Sequence, residues 1–475
     1  MNKNIFADIH KFEKRHIAIT ESESIRYNEI LEAGKVMSNG IETRSFIFHV
    51  CSNTIGSLCG YIDFIRANHV QLLLGNEIGH EKIKRLLLLY QPQYLYLPKE
   101  LADGYPNYEK IGNAFEYTLF KLNNESAFDL HDELLLLLPT SGSTGSPKYV
   151  RLSHQNVKAN AEAIVSYLEI NENERPITIL PMSYSYGLSI INSHILVGAT
   201  LLLSPRKIFD SRLWDFFNKN VATSISGTPY TYGMLKKMGF LNMNFKSLKT
   251  MTQAGGKLSN ELQEKFSEYA HKHMIKFFVM YGQTEATARI SYLPCDKAGE
   301  KIGSIGIAIP GGQLSLVRED GSKIIGPNEV GEIIYHGTNV SLGYAECGRD
   351  LSKGDERKKT LFTGDLGRRD EDGYFYVVGR NNRFIKIFGN RVNLDEIEAN
   401  IKTRFELAGC ACSGKEDMVL IFVTTENLEL KHKIKDFIAR DAKINPIAIT
   451  VKYINEIPVD GSGKVMYKQL YEENA

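Results

Sequence analysis

The sequence predicts an α/β protein of two domains: a large, multi-part N-terminal α/β domain over residues 1–380 and a small C-terminal α+β domain over residues 381–475. Three observations predict it. Short apolar runs alternate with helical patterns through most of the chain. Residues 134–138 are five consecutive leucines, apolar on both faces, as a covered internal strand requires. After Arg380 the chain changes character, and about 95 residues of compact α+β pattern begin with the polar, basic stretch NNRFIKIFGNRV.

Each element has a local cause. In YVRLSHQNV, Ser153 stands where a helix cap belongs, and Val157, Ala161, Ile164, Val165 and Leu168 then recur at helical spacing as one buried stripe. GEIIYHG (331–337) and YFYVVGR (374–380) read as strands bounded by glycine. In the small domain Leu394, Ile397 and Ile401 share a helix face, and Leu430, Ile434, Phe437 and Ile438 mark a second amphipathic helix. The apparent strands MVLIFVTT and IAITVKYI lie on either side of that second helix, and the domain boundary falls near Asn381 and Asn382.

Composition narrows the function classes. Fifty-seven basic and 56 acidic residues leave a net charge of +1, with no basic surplus to suggest nucleic acid and no charge run long enough for an interaction tail. The start, MNKNIFADIHKFEKRH, has no apolar core to serve as a secretory signal. The most apolar region, residues 177–204, is interrupted by Pro181 and by tyrosine, histidine and serine positions, so buried strand and helix is expected rather than a membrane span. Six cysteines in 475 residues, with no His/Cys set around Cys410 and Cys412, point to reduced thiols in a cytoplasm.

The chemistry begins at SGSTGSPK (141–148), directly after the leucine run. Glycines let backbone N–H groups turn inward around an anion, Ser and Thr hydroxyls add donors, and Lys148 adds positive charge. The Walker pattern G-x-x-x-x-G-K-[ST] fails, because Lys148 follows Pro147 and no hydroxyl residue follows it; G-x-G-x-x-G fails as well. Downstream, in order, come YGQTEA (281–286), TGD with Asp365, GRNNRFIK with Arg380, and DGSGKV with Lys464.

This set resembles the adenylate-forming superfamily of acyl-CoA synthetases, peptide-synthetase adenylation domains and luciferases. The resemblance runs over nearly the whole chain, with weak echoes from SIRYNEILEAG (24–34) onward. It implies the adenylate-forming enzyme fold with a mobile small domain, ATP and Mg²⁺ as cofactors, and CoA or a phosphopantetheine thiol as co-substrate. Thr140, Ser141, Gly142, Ser143, Thr144, Gly145 and Lys148 would then cradle the β- and γ-phosphates. Tyr281 would stack on adenine, Thr284 would meet the α-phosphate and Glu285 would bind Mg²⁺, a hard cation suited to carboxylate and phosphate oxygens. Asp365 and Arg380 would hold the ribose, and Lys464 would bridge the substrate carboxylate and the α-phosphate. At the hinge, Asn382 replaces the usual charged residue; Lys386 and Gly389 would line the thiol channel.

The implied reaction joins a carboxylic acid to AMP with loss of pyrophosphate, then passes the acyl group to a thiol of CoA or of an acyl-carrier protein. The resemblance sets the acid pocket near Tyr184, Tyr186, Gly227, Tyr230, Gly255 and Gly256, with Tyr184 where many acyl and aryl members carry His. Residues 181–189 hold no aspartate to pair with a substrate ammonium, which favours an acyl or aryl acid over an α-amino acid. An amino-acid-activating carrier-protein ligase and a catalytically silent nucleotide-binding partner stand as alternatives.

Overall fold

The computed structural model describes residues 4–122, 128–140, 148–380, 383–388, 390–407, 409–415, 417–442, 444–459 and 465–474. The chain forms two compact units. One is built from Met1–Thr140, Ser146–Leu314 and Tyr335–Leu361; the other is built chiefly from Ser315–Ile334 and Phe362–Ala475. The expected boundary at residue 380 falls at the end of the strand Phe375–Arg380, next to residues 381 and 382, which lie outside the described residues.

The first unit holds two large sheets. In the eight-stranded sheet, Phe46–Cys51, Val70–Gly75 and Leu134–Pro139 lie side by side and parallel, and the five leucines are fully buried, as their lack of alternation predicts. Leu134–Pro139 pairs antiparallel on its other side with Tyr149–Ser153, and Pro139 faces Tyr149. The nine-stranded sheet runs parallel through Lys276–Tyr281, Thr250–Gln253, Ser224–Gly227, Pro176–Thr178 and Leu201–Leu203. Consecutive parallel strands there require crossover connections, which helices such as Pro229–Lys237 and Asn260–His273 supply.

The two sheets share one core. Helix Ile55–Arg66 is buried from Ile55 to Ile65, and helix Ser185–Leu196 from Ser185 to Ile195, so both are covered all round. Their apolar side chains join Ile17, Leu201 and Leu203 of one sheet to Leu73, Leu135 and Leu138 of the other. The apolar stretch 177–204 is thus strand, helix, strand within this core. Among the described residues, no helix is long and apolar enough to cross a membrane.

In the second unit, Thr360–Arg369 and Phe375–Arg380 form an antiparallel hairpin. Cys410–Lys415, Met418–Val423 and Ile449–Tyr453 form a three-stranded sheet, with helices Leu394–Phe405 and Leu428–Asp441 packing Ile397, Ile401, Ile434 and Ile438 into its core. Arg383 anchors this core electrostatically. It is buried, donates to Asp395 at 2.7 Å and to the carbonyl of Cys412 at 2.6 Å, and lies 3.3 Å from Glu398. Its guanidinium stacks 3.8 Å from the Tyr467 ring, whose hydroxyl also donates to Glu398.

Candidate active site

The glycine loop leaves and rejoins the fold between two paired strands, Leu134–Pro139 and Tyr149–Ser153. Thr140 Oγ1 donates to the Lys148 carbonyl at 3.4 Å and so ties together the two residues that flank it. Residues 141–147 lie outside the described residues. Just past the loop, Ser153 caps helix His154–Leu168: its hydroxyl accepts from Asn156 N at 3.1 Å, while Asn156 Oδ1 accepts from Ser153 N.

The YGQTEA segment follows directly on strand Lys276–Tyr281. Gly282 is required there, since a Cβ would come within 1.7 Å of the Ala288 carbonyl oxygen. Ser185 and Thr284 hydroxyls meet at 3.2 Å. The segment is then stitched to residues 339–344. Ser341 N donates to the Glu285 carbonyl, Thr287 Oγ1 to the Asn339 carbonyl, and the Asn339 amide to the carbonyls of Ala286 and Arg289.

These stitches bring Tyr344 to Glu285. The tyrosine hydroxyl donates to Glu285 Oε1 at 2.7 Å. The same ring carries the Lys148 ammonium 3.7 Å from its centroid and the Arg357 guanidinium at 4.8 Å. Burial, and then the adjacent Glu285 carboxylate, push the Tyr344 phenol well above its usual range, so it remains a donor. Lys148 lies 4.0 Å from Glu346 Oε1. Behind the ring, fully buried Arg151 donates to the carbonyls of Leu342, Tyr344 and Gly354, and pairs with Glu356 at 2.6 Å. One aromatic ring therefore sets a lysine beside the glycine loop against a half-buried carboxylate.

Between helix Ser185–Leu196 and the nine-stranded sheet lie most of the expected pocket residues. Tyr184 precedes the helix, and its hydroxyl stands 2.5 Å from where a Cβ on Gly255 would sit. Gly255 adopts φ of +86°, which glycine alone tolerates easily. Gly256 abuts Pro229, and Gly227 abuts Thr231. Tyr186 is buried, and its hydroxyl reaches the Thr252 carbonyl at 2.9 Å and Thr252 Oγ1 at 2.8 Å. Tyr230, by contrast, is 57% exposed at the start of helix Pro229–Lys237.

In the second unit, Asp365 sits beside a glycine turn. Gly364 has φ of +72°, and Thr363 Oγ1 donates to the Ile333 carbonyl while accepting from Asp365 N. Asp365 is nearly buried and faces Arg380 across the hairpin, with Arg380 Nε at 3.3 Å. A carboxylate held this way presents oxygen acceptors to a pair of vicinal hydroxyls.

A profile of the AMP-binding enzyme family matches residues 84–345, more than half of the chain. The chain belongs to the AMP-binding enzyme family. It is 26% identical over 422 residues to the long-chain-fatty-acid–CoA ligase of Bacillus subtilis, covering 82% of this chain and 73% of that protein. It is 24% identical over 484 residues to the 2-succinylbenzoate–CoA ligase of Oceanobacillus iheyensis, covering 96% of each. The solved o-succinylbenzoate coenzyme A synthetase of Bacillus subtilis, in complex with ATP and magnesium ion, shares the fold at a TM-score of 0.79 and 20% identity, over 98% of this chain and 99% of that one. The expected α/β architecture and the resemblance to adenylate-forming enzymes are both borne out.

Within this AMP-binding enzyme, the structure brings together Thr140 and Lys148 at the loop ends, Thr284 with Ser185, and Asp365 with Arg380. Tyr281 ends its strand half-buried against the core. Lys386 pairs by its backbone with Arg391 in the hairpin Phe384–Ile387/Asn390–Asn393. Ser141, Gly142, Ser143, Thr144, Gly145, Asn382, Gly389 and Lys464 lie outside the described residues. Sequence reading missed Tyr344, Arg151 and Arg357. A charged Arg151 inside the otherwise apolar strand YVRLS was the one signal available for that group.

Proposed function

We propose that this AMP-binding enzyme is an ATP-dependent acid–thiol ligase. It adenylates an acyl or aryl carboxylic acid with release of pyrophosphate, then transfers the acyl group to the thiol of CoA or a carrier-protein phosphopantetheine. The observation that carries the reading is the Lys148–Tyr344–Glu285 arrangement beside the glycine loop, in a chain whose relatives are CoA ligases.

Two anions must meet in the first step, the acid carboxylate and the α-phosphate, so positioning and charge stabilisation supply most of the catalysis. Lys148 and the loop hydroxyls hold the outer phosphates. Glu285, its carboxylate fixed by Tyr344, would offer a magnesium ion a hard oxygen donor. When bound, such an ion would supply positive charge against the phosphates. Asp365 and Arg380 orient the ribose, and Thr284 meets the α-phosphate. Lys464 bridges the two reacting anions, then withdraws as the small domain turns about Asn382 and brings Lys386 and Gly389 to the incoming thiol. The protein acts in the cytoplasm, a reading supported by six free cysteines.

The experiment is ATP–pyrophosphate exchange across fatty, aryl and amino acids, followed by thioester formation with CoA and with carrier protein. Exchange with one acyl or aryl class, lost in Lys464→Ala, is expected. Exchange driven only by amino acids, or by no acid at all, contradicts the proposal.

A further inference from the structure

Arg289 is a buried cation without a carboxylate. It lies eight residues beyond Tyr281, is only 3% exposed, and its Nε has no hydrogen-bond partner among the described residues. No ion pair reaches it among the described residues. Its guanidinium carbon rests 4.2 Å from the centroid of the Tyr186 ring. The arginine and the Tyr167 phenol interact, which lessens the effect of burial on that phenol. A guanidinium stays charged, and a buried charge is costly without a counter-ion. An aromatic face offsets that cost only in part.

The arginine also lines a cavity of about 30 Å³, between helices His154–Leu168 and Ser185–Leu196 and the strands Ser224–Gly227 and Thr250–Gln253. A single water occupies roughly 10–15 Å³ on this measure, so the space suits two oxygen-sized groups. Its walls carry the hydroxyl residues Ser189, Ser193, Ser226 and Thr252 beside the apolar side chains of Ile164, Leu168, Ile170 and Ile190. Thr252 Oγ1 donates to Ser226 Oγ at 2.8 Å and meets the hydroxyl of Tyr186, one of the residues expected at the acid pocket. Tyr184 and Tyr186 stand edge to face with centroids 6.3 Å apart. One carboxylate, Glu174, shares the cavity wall, but it is paired with Lys249 at 3.5 Å. His194 on the same wall is held neutral by burial and donates through Nδ1 to the Ile190 carbonyl.

We propose that Arg289 is the counter-charge for a second carboxylate at the far end of the acid, so that the enzyme's substrate is a dicarboxylic acid. This rests on the acid–thiol ligase reading of the same pocket. One carboxylate is adenylated near Tyr184 and Gly255. The other passes beyond Tyr186, takes the unpartnered Nε–H of Arg289 and receives a hydrogen bond from the Ser226 hydroxyl, which accepts from Thr252 and keeps its own O–H to give. A fatty acid would set methyl groups against the same donors and leave the charge unpaired.

The test compares each dicarboxylic acid from succinate to sebacate with its monomethyl ester and with the monocarboxylic acid of equal length, in ATP–pyrophosphate exchange by the full-length protein. One diacid is expected to exceed both partners in kcat/KM by about tenfold to a hundredfold, the worth of hydrogen bonds to a charged group. Arg289→Leu should erase that preference while ATP-binding affinity is retained, and Arg289→Lys should keep part of it. Should the variants not fold, thermal stabilisation of the wild type by diacid but not by monoester decides alone. Equal or better use of monoesters by the wild type, or a diacid preference untouched in Arg289→Leu, overturns the proposal. Exchange with monocarboxylates alone leaves the ligase reading standing and sinks this one; exchange with no acid removes both.

Discussion

The hydroxyl of Tyr344 donates to Glu285 Oε1 across 2.7 Å, although the two residues are 59 positions apart in sequence. With Lys148 seated on the same ring, one side chain sets the spacing between the lysine beside the loop and the Glu285 carboxylate. Tyr344→Phe keeps the ring and removes the hydroxyl. Exchange activity should fall about tenfold, in line with loss of one charge-assisted hydrogen bond, and the Mg²⁺ concentration for half-maximal rate should rise. Tyr344→Leu removes the seat of Lys148 too, and should add a rise in the KM for ATP. A magnesium titration of both variants checks this.

Gly255 carries positive φ and leaves room for the Tyr184 hydroxyl. Gly255→Ala should cost about 1 kcal/mol in backbone strain and crowd Tyr184, raising the KM for the acid without changing that for ATP. Tyr184→Phe vacates the contested space, so the double variant should recover part of the loss. A double-mutant cycle reads the coupling, expected at roughly 0.5–3 kcal/mol.

Arg383 holds Asp395, Glu398 and the Cys412 carbonyl together inside the second unit. Arg383→Met leaves buried Glu398 with Lys402 as its remaining cation, 2.7 Å from Oε1, and deprives Asp395 and the Cys412 carbonyl of their donor; it should cost about 3–5 kcal/mol, measured by urea unfolding. Adding Glu398→Gln, which lowers the buried charge to be balanced, should restore part of that stability.

His49, His69 and His194 are buried and held neutral, each lowered from about 6.5 to about 4, with burial as the main cause. In the unfolded chain each would titrate near its usual value of about 6.5. The unfolded state therefore takes up protons first as pH falls. The stabilisation these residues give is complete above about pH 6.5 and is lost progressively toward pH 4. Urea midpoints measured across that interval should drop, and His194→Asn or His49→Gln should flatten the slope.

How much was legible follows from how far each signal reaches along the chain. The leucine run and the Ser153 cap rest on local periodicity and local hydrogen bonds, so the sequence displays them directly. The buried helix Ser185–Leu196 carries too many apolar residues for one face to stand out, and only the structure separates Tyr186 and Ile190, in one core cluster, from Leu188, Ile191 and Ile195, in another. Tyr344 sits in an ordinary G-Y-A strand, and nothing nearby announces Glu285 or Arg151, which reach it from 59 and 193 residues away. Arg289 gave no signal for the same reason: its burial and its contact with Tyr186 arise only when the turn before strand Ser291–Leu293 packs against helix Ser185–Leu196. Tyr230, named from the resemblance, stands out from the pocket wall because it occupies the exposed first turn of its helix.

The most direct measurement follows oxygen from the acid. With a carboxylate substrate labelled with heavy oxygen, an acid–thiol ligase that proceeds through acyl-AMP must transfer one labelled oxygen to the phosphate of AMP as the thioester forms. Labelled AMP, with unlabelled pyrophosphate, is the predicted result. Label in inorganic phosphate alongside ADP, or AMP that carries none, would contradict the account.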